Sequence, residues 1–227
     1  VMKTFSLLLS LAILFPYLPA LGEAPDPEEI REFFWGEDGL YQQDYEIPEK
    51  WQDESAIILG LEVFYKFRKE GRKIDYEEGF HLRIKLNNQT EVEEFSEFSY
   101  LNGKFEGSRG SSRLWKKPRM YFGIKLIKPD RQETIIDLEQ SVQVEGLFER
   151  EKVAIPGLEV GDILDFYYYL YEPFRTSATT YIFDPVVDIV GGEYPISDMQ
   201  LNLLVDRKLY ANFKSLNGAP EPVFLRE

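Results

Sequence analysis

Cysteine is missing from this 227-residue chain, and histidine occurs once, as His81. Without cysteine, these residues can form no disulfide, zinc–thiolate site, lipid-modified N-terminal cysteine or thiol nucleophile. A serine triad would need His81 as its general base, and the sequence contains no Gly-x-Ser-x-Gly turn to present the serine. An Asp-x-Asp-x-Asp-Gly calcium loop is also missing. We therefore predict no catalytic residue, metal ligand or cofactor, and expect a chain that is not itself an enzyme.

Acidic residues outnumber basic ones by 40 to 26, so the formal net charge is −14. Because the acids are dispersed, this charge argues against nucleic acid and anionic membrane surfaces as partners. Clusters such as Asp162 with Asp165, or Glu91 with Glu93 and Glu94, are the carboxylates available for glycoside hydrolysis. With so many acids such clusters arise by chance. Asp162 is better explained as an acceptor of backbone amides in the turn around Gly161.

The N-terminal residues 1–22 predict a secretory signal peptide. Lys3 gives a short basic start, Phe5 to Phe15 form an apolar core, and Ala20-Leu21-Gly22 provides a small-x-small cleavage site. An uncleaved N-terminal anchor is the alternative. No later segment is apolar enough to span a bilayer, so we expect no membrane span after cleavage. An exported chain without disulfides suits the periplasm or cell surface of a Gram-negative bacterium.

Residues 23–50 predict a short helix and a connector. Asp26 can cap the helix, Pro27 fits its first position and Gly36 can end it. Ile30 and Phe34 share a face with Phe33, so the helix should pack on something. A single helical turn is predicted over 48–51.

From residue 55 the apolar period changes to two, which predicts strands. A capped helical turn is predicted over 90–95 and a long surface loop over 102–118. Many short alternating strands with turns between them are typical of a mainly antiparallel β-sandwich, which we place at 51–215, with 216–227 as a linker or the start of a further domain. The predicted strands cover 55–67, 80–86, 120–126, 134–138, 151–171, 180–183, 186–190, 199–205 and 209–213.

Three candidate surfaces follow from this pattern. Tyr167, Tyr169 and Tyr171 alternate on one face of a strand; they are either core tyrosines at its rim or an aromatic platform for sugars or peptides. His81 is predicted to face solvent together with Arg83 and Lys85. Trp115 lies in a basic island of the 102–118 loop, which is either a solvated loop or a docking patch for an acidic domain or anionic glycan.

Four sequence blocks resemble the DUF3857 family, in the order in which that family has them. Pro156-Gly157-Leu158 followed by Gly161-Asp162 is the most specific element. The family commonly has glycine where Arg131 stands, a departure that affects only a hairpin turn. The blocks cover roughly 51–215 and are Trp51 with Asp53–Leu59, His81–Leu86, Ile124–Asp130 and Ile155–Ile163.

The resemblance implies a context rather than a reaction. Such domains are β-rich and lie N-terminal to a transglutaminase-like domain in exported bacterial proteins. That downstream domain would carry a Cys-His-Asp site, no part of which can lie in these residues. We therefore expect a non-catalytic module whose partner is the downstream domain of the same chain. An autonomous carbohydrate- or peptide-binding module is the alternative.

Overall fold

A computed structural model describes residues 23–36, 47–101, 112–114, 118–138, 142–144, 150–176 and 192–224. The predicted signal peptide, the predicted strands at 180–183 and 186–190, and Trp115 lie outside these ranges. The domain boundaries therefore stay predictions. Over the described residues the chain is mainly β, which confirms the predicted fold class.

The main feature is a seven-stranded mixed sheet. Its strands are β1 (Ala56–Glu70), β2 (Lys73–Leu86), β4 (Ser112–Leu114), β5 (Arg119–Ile127), β6 (Glu133–Ile135), β9 (Ile163–Thr176) and β10 (Met199–Val205). They follow the order β10-β1-β2-β9-β5-β6, with β4 paired to the end of β9. All its described pairings are antiparallel except β1 with β10. Gly71, with φ of 58°, makes the tight turn between β1 and β2.

A second sheet has three strands in the order β3-β8-β7: β3 (Glu97–Leu101), β7 (Val142–Val144) and β8 (Arg150–Ala154). Val153 of β8 and the following Ile155 pack into the core on the apolar face of the main sheet, against residues such as Ile84 and Leu164. Val92 of the short helix α2 (Gln89–Phe95) joins the same core. The antiparallel β-sandwich within this fold class stays a prediction.

Helix α1 (Pro27–Trp35) forms as the sequence predicts. The Asp26 side chain accepts from the backbone N–H of Glu28 at 2.8 Å, and Glu29 completes a capping box by accepting from the Asp26 N–H at 3.1 Å. The buried side chains of Ile30 and Phe34 lie on the face of the main sheet opposite the apolar core. The sheet is thus covered on both faces over its central strands.

Several local predictions need correction. The run 209–213 is not a strand, because it has no ladder partner among the described residues. Ser112–Leu114, predicted as loop, pairs with the end of β9. The return strand predicted at 134–138 is shorter and ends at Ile135. The capped helical turn predicted over 90–95 does form, as α2, and its cap is Asn88, whose side chain accepts from the N–H of Glu91.

Candidate functional site

Asp165, in the middle of β9, is the centre of a buried polar cluster. Its carboxylate accepts four hydrogen bonds: Oδ1 from His81 Nε2 at 2.7 Å and from Trp35 Nε1 at 2.9 Å, and Oδ2 from Arg83 Nε at 2.9 Å and Arg83 Nη2 at 2.6 Å. The β2–β9 register places Arg83 directly opposite Asp165 and His81 opposite Tyr167. The cluster is therefore built by two neighbouring strands and closed by the last residue of α1.

The donors around Asp165 keep it ionised. Burial pushes its pKa upward, but the hydrogen bonds and charges of His81 and Arg83 outweigh burial and lower the pKa to about 2. An ionised carboxylate can only accept, so His81 Nε2 carries the proton that it shares with Asp165. A carboxylate with four donors and so low a pKa is a poor general base near neutral pH. The four donors hold the Asp165 carboxylate in place and neutralise its charge, and the cluster offers no nucleophile.

His81 is buried, contrary to the prediction that it faces solvent. His81 is 1% exposed and Arg83 is also buried, so neither faces solvent as predicted. Both lie on the polar face of the sheet, and this face is covered by α1. Sequence reasoning missed Asp165 as their partner. The available signal was that polar residues alternate with apolar ones on both strands, at His81 and Arg83 and again at Asp165.

The three alternating tyrosines of β9 also lie beneath α1. Tyr167, Tyr169 and Tyr171 are each no more than 3% exposed. Phe34 stacks on Tyr167 with ring centroids 4.4 Å apart. The tyrosine-rich face is therefore core, not a rim and not an open aromatic platform. A sugar or peptide could reach it only if α1 moved away.

A second buried polar network adjoins these tyrosines. Glu77 accepts hydrogen bonds from Lys66 Nζ at 3.0 Å and from the Tyr169 hydroxyl at 2.6 Å, and it forms an ion pair with Arg68 Nη2 at 3.0 Å. Arg68 also pairs with Asp75 at 3.2 Å. Burial and the Glu77 charge raise the pKa of Tyr169 well above its usual value, and burial lowers the pKa of Lys66. Each charged side chain of this network thus has a partner of opposite charge, as burial in surroundings of low polarity requires.

The turn between β8 and β9 contains the most specific element of the family resemblance, Pro156 to Asp162, and we call it the signature turn. Hydrogen bonds join it to the hairpin of β5 and β6. Lys128 Nζ donates to the Gly157 carbonyl at 2.6 Å, to Glu159 at 2.9 Å and to Asp162 Oδ2 at 2.8 Å. Asp162 Oδ2 also accepts the backbone N–H of Glu159 at 2.7 Å, which confirms its predicted role in the turn. Gly157 and Gly161 have φ of 74° and 97°, and Pro156 follows the end of β8.

The same turn is bonded to the end of β2. The Gly161 N–H donates to the Leu86 carbonyl at 2.7 Å, and the Leu86 N–H donates to the Asp162 carbonyl at 3.0 Å. Asn87 in turn donates its N–H to the carbonyl of Ser55, just before β1. All four blocks that carry the family resemblance therefore meet in one hydrogen-bonded region.

Apolar surface is concentrated at the C-terminal end of the described chain. Of the ten large hydrophobic side chains that are exposed within the described residues, eight lie between 201 and 224. Tyr210 is 87% exposed and Phe224 80% exposed. The group consists of Leu201, Leu203, Leu204, Tyr210, Phe213, Leu216, Val223 and Phe224. We call it the C-terminal apolar surface.

Within the described residues, no group of three or more His, Asp or Glu side chains is placed to hold a metal ion. Neither described helix has the length and apolar character that crossing a membrane requires.

No protein-family model matches the sequence, and no curated protein matches it. Among solved structures, one with a similar arrangement is described as a putative protease from Parabacteroides distasonis ATCC 8503. The two share 13% sequence identity with a TM-score of 0.41, over 52% of this chain and 23% of that chain. This chain thus spans less than a quarter of the length of that protein. A likeness at this level carries no conclusion about function.

Proposed function

We propose that this chain is a non-catalytic β-rich module of a larger exported protein, of the DUF3857 kind. Its role is to support or orient a downstream transglutaminase- or thiol-peptidase-like domain. The bonds among the four blocks support this proposal, because they give each block a structural reason to accompany the others. Lys128, for example, belongs to one block and has its three acceptors in another.

The C-terminal apolar surface is the observation that carries the proposal. Exposed apolar side chains that collect in one region of a soluble protein often mark a surface that contacts another protein or domain. Here that stretch includes the edge strand β10 and the segment that follows it. Such a surface fits contact with another globular domain, since burying it would remove apolar area from water.

The polar clusters support a structural rather than a catalytic role. His81 is the only histidine, and its Nε2 is bonded to Asp165, which is itself saturated by donors. An acid–base pair of this kind has no accessible substrate position, because Phe34 and Trp35 of α1 cover it. The chemistry of the whole protein would then belong to the downstream domain.

The first test is to read the coding sequence past codon 227. An open frame that encodes a Cys…His…Asp transglutaminase-like segment supports the proposal. This chain and the longer protein would then be assayed for amide hydrolysis and transamidation, with activity expected only in the longer one. A stop codon directly after Glu227 overturns the proposal, and glycan and peptide binding by the chain alone becomes the function to examine.

A further inference from the structure

We infer that the outer edge of β10 accepts an extended strand from the neighbouring domain, so that the main sheet continues into that domain. This inference rests on the proposed function and names the contact through which the support acts. The strand that adds to β10 would be apolar where it meets Leu201 and Leu203, and acidic near the turn between β1 and β2.

Among the strands that the structure describes, the two edges of the main sheet differ in a way that points to β10. At one edge, β6 has three residues, begins with Glu133 and is followed by Asp137. Short length and charge are the usual protections of an edge strand against unwanted pairing. At the other edge, β10 has seven residues, Met-Gln-Leu-Asn-Leu-Leu-Val, without charge, proline or glycine. An edge of this length and composition is suited to pairing with a further strand.

The side chains of β10 extend the apolar face beyond β1. Leu201 lies beside Val63 and Leu203 beside Tyr65 in the parallel register of the two strands. Val63 and Tyr65 are buried in the core, whereas Leu201 and Leu203 are exposed. A further strand beside β10 would place its own side chains next to these two leucines, remove part of their apolar area from water and extend the apolar layer.

Charge indicates the chemistry of the incoming strand. Where β10 ends, the Asp206 N–H donates to the Phe67 carbonyl at 2.9 Å, which brings the segment after β10 against the end of β1. Four exposed basic residues collect there from two segments, Arg72 and Lys73 at the β1–β2 turn and Arg207 and Lys208 after β10. They outnumber the two acids at the same end, Glu70 and Asp206. In a chain of net charge −14, such a basic end favours an acidic partner at that point.

Amide hydrogen exchange on the longer protein, compared with this chain alone, tests the inference. The amides of 199–205 should exchange about tenfold more slowly in the longer protein, because added strand pairing protects them. Leu203→Lys should remove that protection, since an edge lysine opposes pairing. Arg72→Glu should reduce it, because the change places an acid near the acidic end of the incoming strand.

Ile135→Lys is the matched control, because Ile135 is an exposed apolar residue of the opposite edge strand and is 54% exposed. It should leave the protection of 199–205 unchanged. Circular dichroism of each variant checks that the fold is retained. Equal exchange of β10 in the two proteins, or an equal loss with Ile135→Lys, overturns the inference but leaves the proposed function standing. A stop codon after Glu227 overturns both.

Discussion

Trp35 and Asp165 are joined by a 2.9 Å hydrogen bond across 130 residues of sequence. The indole N–H at the end of α1 donates to a carboxylate at the centre of the main sheet. The other end of the helix is held by the Tyr121 hydroxyl, which donates to the Pro25 carbonyl at 2.6 Å. Helix α1 is therefore fixed at both ends, and it is part of the core rather than a loose extension of the N-terminus.

Trp35→Phe should destabilise the chain by roughly 1–2 kcal/mol, because it keeps an aromatic ring but removes a donor to a buried charge. Urea unfolding followed by far-ultraviolet circular dichroism measures the change. Trp51→Phe is the control, since Trp51 lies in the single helical turn after Pro48, away from this cluster. Equal losses from the two substitutions would show that the bond to Asp165 contributes nothing specific.

Local signals in the sequence were sufficient for much of the fold. The capping pattern of α1 and the alternation of β1, β5 and β10 depend on neighbouring residues, and these elements form as predicted. The cluster around Asp165 could not be obtained in this way. Its bond to Arg83 spans 82 residues and depends on which strands are neighbours and in which register.

The run 209–213 shows that a local pattern can also predict a strand that does not form. Its alternation of apolar and polar residues is that of a strand, yet a strand also needs a partner to satisfy its backbone. Alternation is a property of the run alone, whereas pairing is a property of the whole fold. The same distinction explains the tyrosines: alternation placed Tyr167 and Tyr169 on one face but could not show that α1 covers it.

Glu62 gives the stability a distinctive pH dependence. Burial raises its pKa from the usual 4.5 to about 7, partly opposed by a 3.3 Å hydrogen bond from Asn202 of β10. Between these two values the unfolded chain releases the proton and the folded chain keeps it. The free energy of unfolding should therefore fall as pH rises from 4.5 to 7, by up to about 3 kcal/mol from this group.

Glu62→Gln should remove this part of the slope, because the amide stays neutral throughout and can still accept from Asn202. Urea unfolding at a series of pH values from 4 to 8 measures it. Glu70→Gln, an exposed residue at the end of the same strand, serves as control and should leave the slope in place. A slope that is the same in wild type and Glu62→Gln would refute the assignment.

Lys128→Met should loosen the signature turn. The substitution keeps most of the side-chain volume but removes the donor shared by Gly157, Glu159 and Asp162. We expect a loss of roughly 1–2 kcal/mol in the free energy of unfolding, because Asp162 is buried and loses a charged partner. Faster amide exchange at 157–162 should accompany it.

Lys152→Met is the matched control for that change. Lys152 pairs with Glu97, and both side chains are about half exposed. Exposed pairs of this kind contribute about 0–1 kcal/mol, so the control should cost less than Lys128→Met. If the two substitutions cost the same, the bonds of Lys128 do not hold the turn together.

Arg131→Gly should stabilise the chain, although it removes a whole side chain. Arg131 occupies the turn between β5 and β6 with φ of 70°, a left-handed conformation that strains any residue with a Cβ. Glycine relieves that strain but increases the freedom of the unfolded chain, so the net gain should be roughly 0.5–1 kcal/mol. Arg72→Gly, in the other hairpin turn and without positive φ, should instead lose stability. Urea midpoints that move in opposite directions for the two variants would confirm that backbone conformation decides the sign; a loss in both would show that the contacts of the Arg131 side chain outweigh its strain.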